Sequence, residues 1–129
     1  MINGIHHVSL KCNGLEVFEK TVDFYKNILG LREVRTWGEG ADSGVMLDAG
    51  NMLIEIFANA EGQMPKGVIS HFAFAVKNAD DCAEAVRKAG YEVFIEPKDI
   101  EIQSSPVYPA RIAFCIGPAG EEIEFFEER

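Results

Sequence analysis

Apolar and polar positions alternate through residues 5–11 (IHHVSLK), as in a strand with one buried face. Over residues 15–29, Phe18, Val22, Tyr25 and Leu29 then recur at helical spacing, and Gly30 supplies a helix stop. Three short strands are predicted next, at 31–36, 44–47 and 52–58, separated by turns containing Gly and Asp. After a Gly- and Pro-containing linker at 59–67 the same order returns: a strand at 69–76, a helix at 79–89 ended by Gly90, and strands at 91–95, 111–116 and 121–127. Cys82, Ala83 and Val86 form the apolar stripe of the second helix, and GPAG (117–120) is the turn before the last strand. The pattern is strand, helix, three strands, written twice: a first module at about 4–59 and a second at about 68–128 within one domain. Distances between corresponding positions nearly repeat, and short differences in helix and loop length cost little entropy.

Because side chains alternate along a strand, parity shows which residues share a surface. His7, Ser9 and Lys11 lie together, opposite His6, Val8 and Leu10. Leu53, Glu55, Phe57 and Asn59 lie together, opposite Ile54 and Ile56. His71 shares a face with Ala73 and Ala75, opposite Phe72, Phe74 and Val76; Glu122, Glu124 and Phe126 share one opposite Ile123 and Phe125. Four strands thus offer one apolar face for packing under a helix and a His or Glu on the other. A carboxylate among apolar neighbours is expensive to bury without a cation, so His7, Glu55, His71 and Glu124 converging on one cavity would call for a divalent metal. Parity leaves Glu122 and Glu124 as equal alternatives. Taken singly, each histidine or carboxylate is better explained by a structural or solvated role; the joint pattern in two repeated halves raises the set above that.

Composition narrows the chemistry. Hydrophobic residues make up 47% of the 129, enough to fill a core. A formal charge of −9 repels nucleic acid and anionic membrane alike, leaving a small molecule as partner. The longest apolar runs are far below the roughly 20 residues of a membrane span, and the expected location is cytoplasmic. Three scattered cysteines suggest neither a disulfide framework nor a thiolate metal site. Two imidazoles with two carboxylates leave a divalent ion without net charge and suit Ni²⁺, Co²⁺, Zn²⁺, Fe²⁺ or Mn²⁺.

IHHVSLKC, FYKNILGLRE, LIEIFAN, SHFAFAVKNAD and GPAGEEIEFFEE together resemble the vicinal oxygen chelate superfamily, in particular its short bacterial glyoxalase I (lactoylglutathione lyase) type. The resemblance implies an α+β fold of two βαβββ modules whose curved mixed sheet surrounds a metal cleft, usually in a homodimer with sites at the interface. It implies one divalent metal, Ni, Co or Zn foremost, on His7, Glu55, His71 and Glu124, which selects Glu124 over Glu122 and His7 over His6. It further implies isomerisation of the methylglyoxal–glutathione hemithioacetal to a lactoyl thioester through an enediolate, with Glu124 the first choice of base and Glu55 the second. Asn59 occupies the position of an asparagine that holds the glutathione peptide. Lys11 stands where such enzymes often carry an arginine for a glutathione carboxylate, keeping the charge without the bidentate fork. GPAG replaces the family's common DPDG.

A methylmalonyl-CoA epimerase-like enzyme is the alternative reaction, although that family typically carries Gln where this chain has Glu55. A non-catalytic drug-binding protein of bleomycin-resistance type is the alternative class, and such proteins usually lack the metal ligands. Segments 36–43, with Trp37 as an apolar contact, and 97–110, either an edge strand or a covering loop, are expected to flank the substrate.

Overall fold

The structure, a computed structural model, describes residues 1–62, 64, 65, 67 and 69–129. Gln63 and Lys66 of the predicted linker, and Val68 at the predicted start of the second module, lie outside the described residues. The chain divides into two compact units, Met1–Pro65 and Lys66–Arg129.

In the first unit, β1 (His7–Lys11) leads into α1 (Gly14–Asp23), which continues through a wider helical turn at Phe24–Ile28. Then follow β2 (Arg32–Trp37), β3 (Gly44–Asp48) and β4 (Leu53–Phe57). The wider turn changes which side chains point inward. The Leu29 N–H donates to the Phe24 carbonyl five residues back, at 3.0 Å, so one extra residue is accommodated and both Phe24 and Tyr25 become fully buried. Of the predicted stripe only Tyr25 is buried; Phe18, Val22 and Leu29 are half-buried. Gly30 ends the helix at φ +80°, and the Leu31 N–H returns to the Tyr25 carbonyl at 2.9 Å.

The strands form one sheet in the order β1-β4-β3-β2, with β1 parallel to β4 and the other pairs antiparallel. Val45, Leu47, Ile54 and Ile56 are fully or almost fully buried on the face that α1 covers. Ser9, Met46 and Glu55 pair across the opposite, open face.

The second unit repeats this plan with β5 (Phe72–Ala75), α2 (Ala79–Lys88), β6 (Val93–Ile102), β7 (Tyr108–Ile116) and β8 (Glu122–Glu128) in the order β5-β8-β7-β6. The Asn78 side chain accepts the Asp81 N–H at 3.0 Å, and the Glu127 carboxylate, reaching over from β8, accepts the Ala79 N–H at 2.9 Å. Both satisfy donors that a helix start leaves unpaired. Ala79, Ala83 and Val86 are buried against the sheet while Cys82 is only half-buried, so the stripe sits slightly off its predicted centre. Of the two readings of 97–110 the structure has the edge strand: β6 runs on to Ile102 at the sheet edge and β7 begins at Tyr108, leaving only 103–107 as connection.

Each sheet carries a bulge at the same place. Glu33 pairs with Leu47 and Arg35 with Met46, so Val34 is the extra residue in β2; Val93 pairs with Cys115 and Ile95 with Phe114, so Phe94 is extra in β6. A bulge re-phases the strand beyond it. Arg35 and Trp37 are thereby set opposite Met46 and Gly44 on the open face, and Trp37 is a strand residue rather than a loop wall.

Trp37 lies over Gly44: a Cβ added there would fall 2.2 Å from the indole Cε2. The ring also meets Phe57 edge-on, with centroids 5.7 Å apart. Gly44→Ala is therefore expected to displace the single tryptophan, shift its fluorescence and destabilise the fold by about 1–3 kcal/mol in urea unfolding; an unchanged spectrum and midpoint would contradict this packing.

Candidate functional site

Parallel pairing of the first and last strand builds the same arrangement twice. In the first unit His7 is opposite Leu53 and Ser9 is opposite Glu55, so His7 and Glu55 are diagonal neighbours on one face. The His7 Nε2 lies 3.6 Å from the Glu55 Oε1. In the second unit Ala73 is opposite Glu124, and His71 is again two residues before the carboxylate's partner. There the His71 Nε2 lies 3.2 Å from the Glu124 Oε2. The histidines are 38% and 36% exposed and the carboxylates 12%, so a ligand can reach groups that are otherwise poorly hydrated.

The other ring nitrogen is also engaged in each unit. The His71 Nδ1 is 2.8 Å from the Ser70 Oγ, and the His7 Nδ1 is 2.9 Å from the His6 Nδ1, with the two rings edge to face. A partner at Nδ1 holds the ring orientation and leaves Nε2 facing the carboxylate. Parity alone sent His6 to the opposite face, but β1 begins at His7, so strand alternation does not govern His6. Ser70 carried no signal of its own; the residue preceding each histidine fills the same role in the two units.

The surroundings of the two carboxylates differ. Glu124 pairs with Phe114, whose ring also meets His71 edge-on with centroids 5.0 Å apart, and Phe114 pairs with Ile95. Burial there raises the Glu124 pKa, and the nearby His71 offsets this only in part. Glu55 pairs with Met46, and Met46 with Arg35.

Both pairs fit a divalent cation. Two ligands each about 2.1 Å from one ion stand about 3.0 Å apart at right angles and about 3.4 Å apart at a tetrahedral angle. The 3.2 Å separation falls between those values and the 3.6 Å separation lies slightly above them, and a cation would offset the desolvation that raises Glu124. Each grouping is a pair: among the described residues no three His, Cys, Asp or Glu side chains are gathered to hold an ion.

Lys11, the last residue of β1, is exposed opposite Phe57. Asn59, two residues past β4, bridges Asn13. Both are at the end of the β1–β4 pair away from His7. A cavity of about 420 Å³ in the first unit lies instead around Ile5, His6, Asp48 and Met52, beside the start of β1. The cysteines stay apart from the site chemistry: Cys12 and Cys115 are buried, and burial pushes the Cys115 thiol up to about 12. Among the described residues no helix is long and apolar enough to cross a membrane.

The family model of the Glyoxalase/Bleomycin resistance protein/Dioxygenase superfamily matches residues 4–125. No curated protein matches the chain. Among solved structures, a glyoxalase I variant from Zea mays is 21% identical with a TM-score of 0.74, covering 93% of this chain and 43% of that one. The fosfomycin resistance protein FosX from Listeria monocytogenes is 18% identical with a TM-score of 0.73, covering 100% and 96%. Lactoylglutathione lyase from Agrobacterium tumefaciens is 16% identical with a TM-score of 0.68, covering 98% and 94%.

With its folded-state pKa raised by burial, Glu124 takes up a proton more readily folded than unfolded, so its contribution turns unfavourable as pH rises through the carboxylate range. In metal-free protein, Glu124→Gln should gain stability relative to the parent between pH 4 and pH 7, read by thermal unfolding. A relative loss over that interval would contradict the desolvated environment.

Proposed function

From the chain's membership of the Glyoxalase/Bleomycin resistance protein/Dioxygenase superfamily, we propose that it is a metal-dependent lyase of glyoxalase I type, acting on the hemithioacetal of methylglyoxal and a thiol such as glutathione. The observation that carries the reading is the twofold His–Glu pair, at 3.6 Å in one unit and 3.2 Å in the other, at matching register. A drug-binding protein has no need of two such pairs.

His7 with Glu55, and His71 with Glu124, would be the ligands to Ni²⁺, Co²⁺ or Zn²⁺, which when bound supplies Lewis acidity toward the substrate. Glu124 takes the proton from the carbon that bears sulfur and returns it to the neighbouring carbon, while the hydroxyl proton passes to the former ketone oxygen. The product is a 2-hydroxyacyl thioester, an isomer of the substrate. Glu124 suits this role because its apolar surroundings raise its affinity for a proton, as a general base at neutral pH requires. Glu55, beside Met46 and Arg35, is the second choice of base. Ser70 and His6 orient the two imidazoles through Nδ1. Lys11 and Asn59 hold the thiol carrier, Lys11 through a carboxylate. The working assembly is a homodimer.

Stripped protein reloaded separately with Ni²⁺, Co²⁺ and Zn²⁺ should recover turnover of the methylglyoxal–glutathione hemithioacetal, and Glu124→Gln should lose at least a hundredfold of it. Stoichiometric metal without turnover would overturn the lyase assignment. In metal analysis after dialysis, His7→Ala should lose most bound ion. Ser70→Ala should weaken binding about tenfold, and His6→Ala should leave it measurable; equal losses in His6→Ala and His7→Ala would overturn the choice of His7.

A further inference from the structure

The internal repeat makes each position on one open face comparable with its counterpart on the other. The bulges at Val34 and Phe94 correspond, and the residue after each faces the neighbour of the site carboxylate: Arg35 opposite Met46 beside Glu55, and Ile95 opposite Phe114 beside Glu124. One position is a guanidinium and its counterpart is a butyl chain. The strand spacing of about 4.8 Å puts the Arg35 backbone two strands, about 10 Å, from that of Glu55 in the same cross-strand row.

Arg35 is exposed, and its Nη1 is 3.1 Å from the Met46 thioether, a weak acceptor. The chain holds 21 carboxylates against 12 Lys and Arg. Arg32, two residues before the bulge's far side, pairs with Asp48 at 3.0 Å, and Lys26 pairs with Glu33 at 3.2 Å. Among the described residues no carboxylate comes within ion-pair distance of Arg35, and none of Lys11 on the same face. The row next to that of Arg35 runs from Lys11 through Phe57 and Gly44 to Trp37, with Trp37 laid over the glycine. Beside the His7–Glu55 pair, the open face of the first unit thus has an apolar stretch at Phe57 and Trp37, with Lys11 on β1 and Arg35 on β2.

We propose that Arg35, aimed by the Val34 bulge, binds an anionic group of the substrate, a carboxylate or a phosphate on the arm remote from the reacting carbons. This rests on the reading of that face as a small-molecule site, and it names Arg35 as a specificity-determining residue. A guanidinium offers either oxyanion two parallel N–H donors. Ile95 offers none, so of the two open faces the first unit's is the one suited to a charged arm.

The test uses the whole protein with succinate and inorganic phosphate as probes, against sodium chloride of equal ionic strength. ¹H–¹⁵N spectra would follow the Arg35 Nε–H and the Trp37 indole N–H. Both resonances should shift saturably with one anion more than the other, which identifies the arm as carboxylate or phosphate. The shift should vanish in Arg35→Met, persist in part in Arg35→Lys, and thermal unfolding of both variants should match the parent. Where the hemithioacetal is turned over, Arg35→Met should raise KM about tenfold or more with kcat little changed. No saturable shift in the parent, an equal shift in Arg35→Met, or an unchanged KM would overturn the assignment. A shift that depends on Arg35 in a protein without lyase activity would remove the lyase reading and leave the anion site standing.

Discussion

Parallel pairing between the first and last strand of each βαβββ unit is the constraint on which the rest of the structure depends. A parallel neighbour can be reached only through a crossover, and here the crossover is a helix followed by two antiparallel strands. That connection buries one sheet face under the helix and leaves the other open. It also sets a register in which the histidine stands two residues before the partner of the carboxylate, in both units. His7, Glu55 and Glu124 are strand residues and His71 immediately precedes β5, so the strand register sets where each His meets its Glu. Polar groups of this kind are expensive to bury alone and serve a purpose together with a ligand.

Repetition of the frame makes the differences between its copies informative. The units share strand order, a corresponding bulge and a side-chain partner for each imidazole Nδ1 supplied by the preceding residue. They part company beside the carboxylates. Glu124 has Phe114 as its neighbour and Ile95 beyond it, and burial raises its proton affinity, whereas Glu55 has Met46 as its neighbour and Arg35 beyond it. The same frame therefore offers different chemistry beside each carboxylate. The bulges contribute by turning residues 35 and 37 onto the open face, which uninterrupted alternation from Arg32 would not do.

The glyoxalase-like fold was legible because its signal is local. Alternation with period two and apolar recurrence at helical spacing marked the strands and helices, glycines 30 and 90 marked both helix ends, and the repeated order marked the topology. Ile54 and Ile56 opposite Glu55, and Ile123 and Phe125 opposite Glu124, could be sorted by parity because no bulge interrupts β4 or β8. Where alternation is interrupted, local pattern no longer shows which face a side chain takes. Val34 re-phases β2, the wide turn at Phe24–Ile28 moves the helix stripe, and β6 extends past Pro97 into a segment that composition could assign to strand or loop.

What the sequence by itself determined was therefore the order of elements, the two faces of each regular strand and the chemical type of the site groups, since these depend on neighbours two to four residues apart. Tertiary structure decided which His meets which Glu and at what distance, that Ser70 and His6 take the Nδ1 atoms, and that apolar packing falls on Glu124 rather than Glu55. It alone set Trp37 on Gly44 and Arg35 against a thioether. The physical reason is register: which residues oppose one another across a sheet is fixed by hydrogen bonds between strands far apart in the chain, and a single bulged residue changes it for everything beyond.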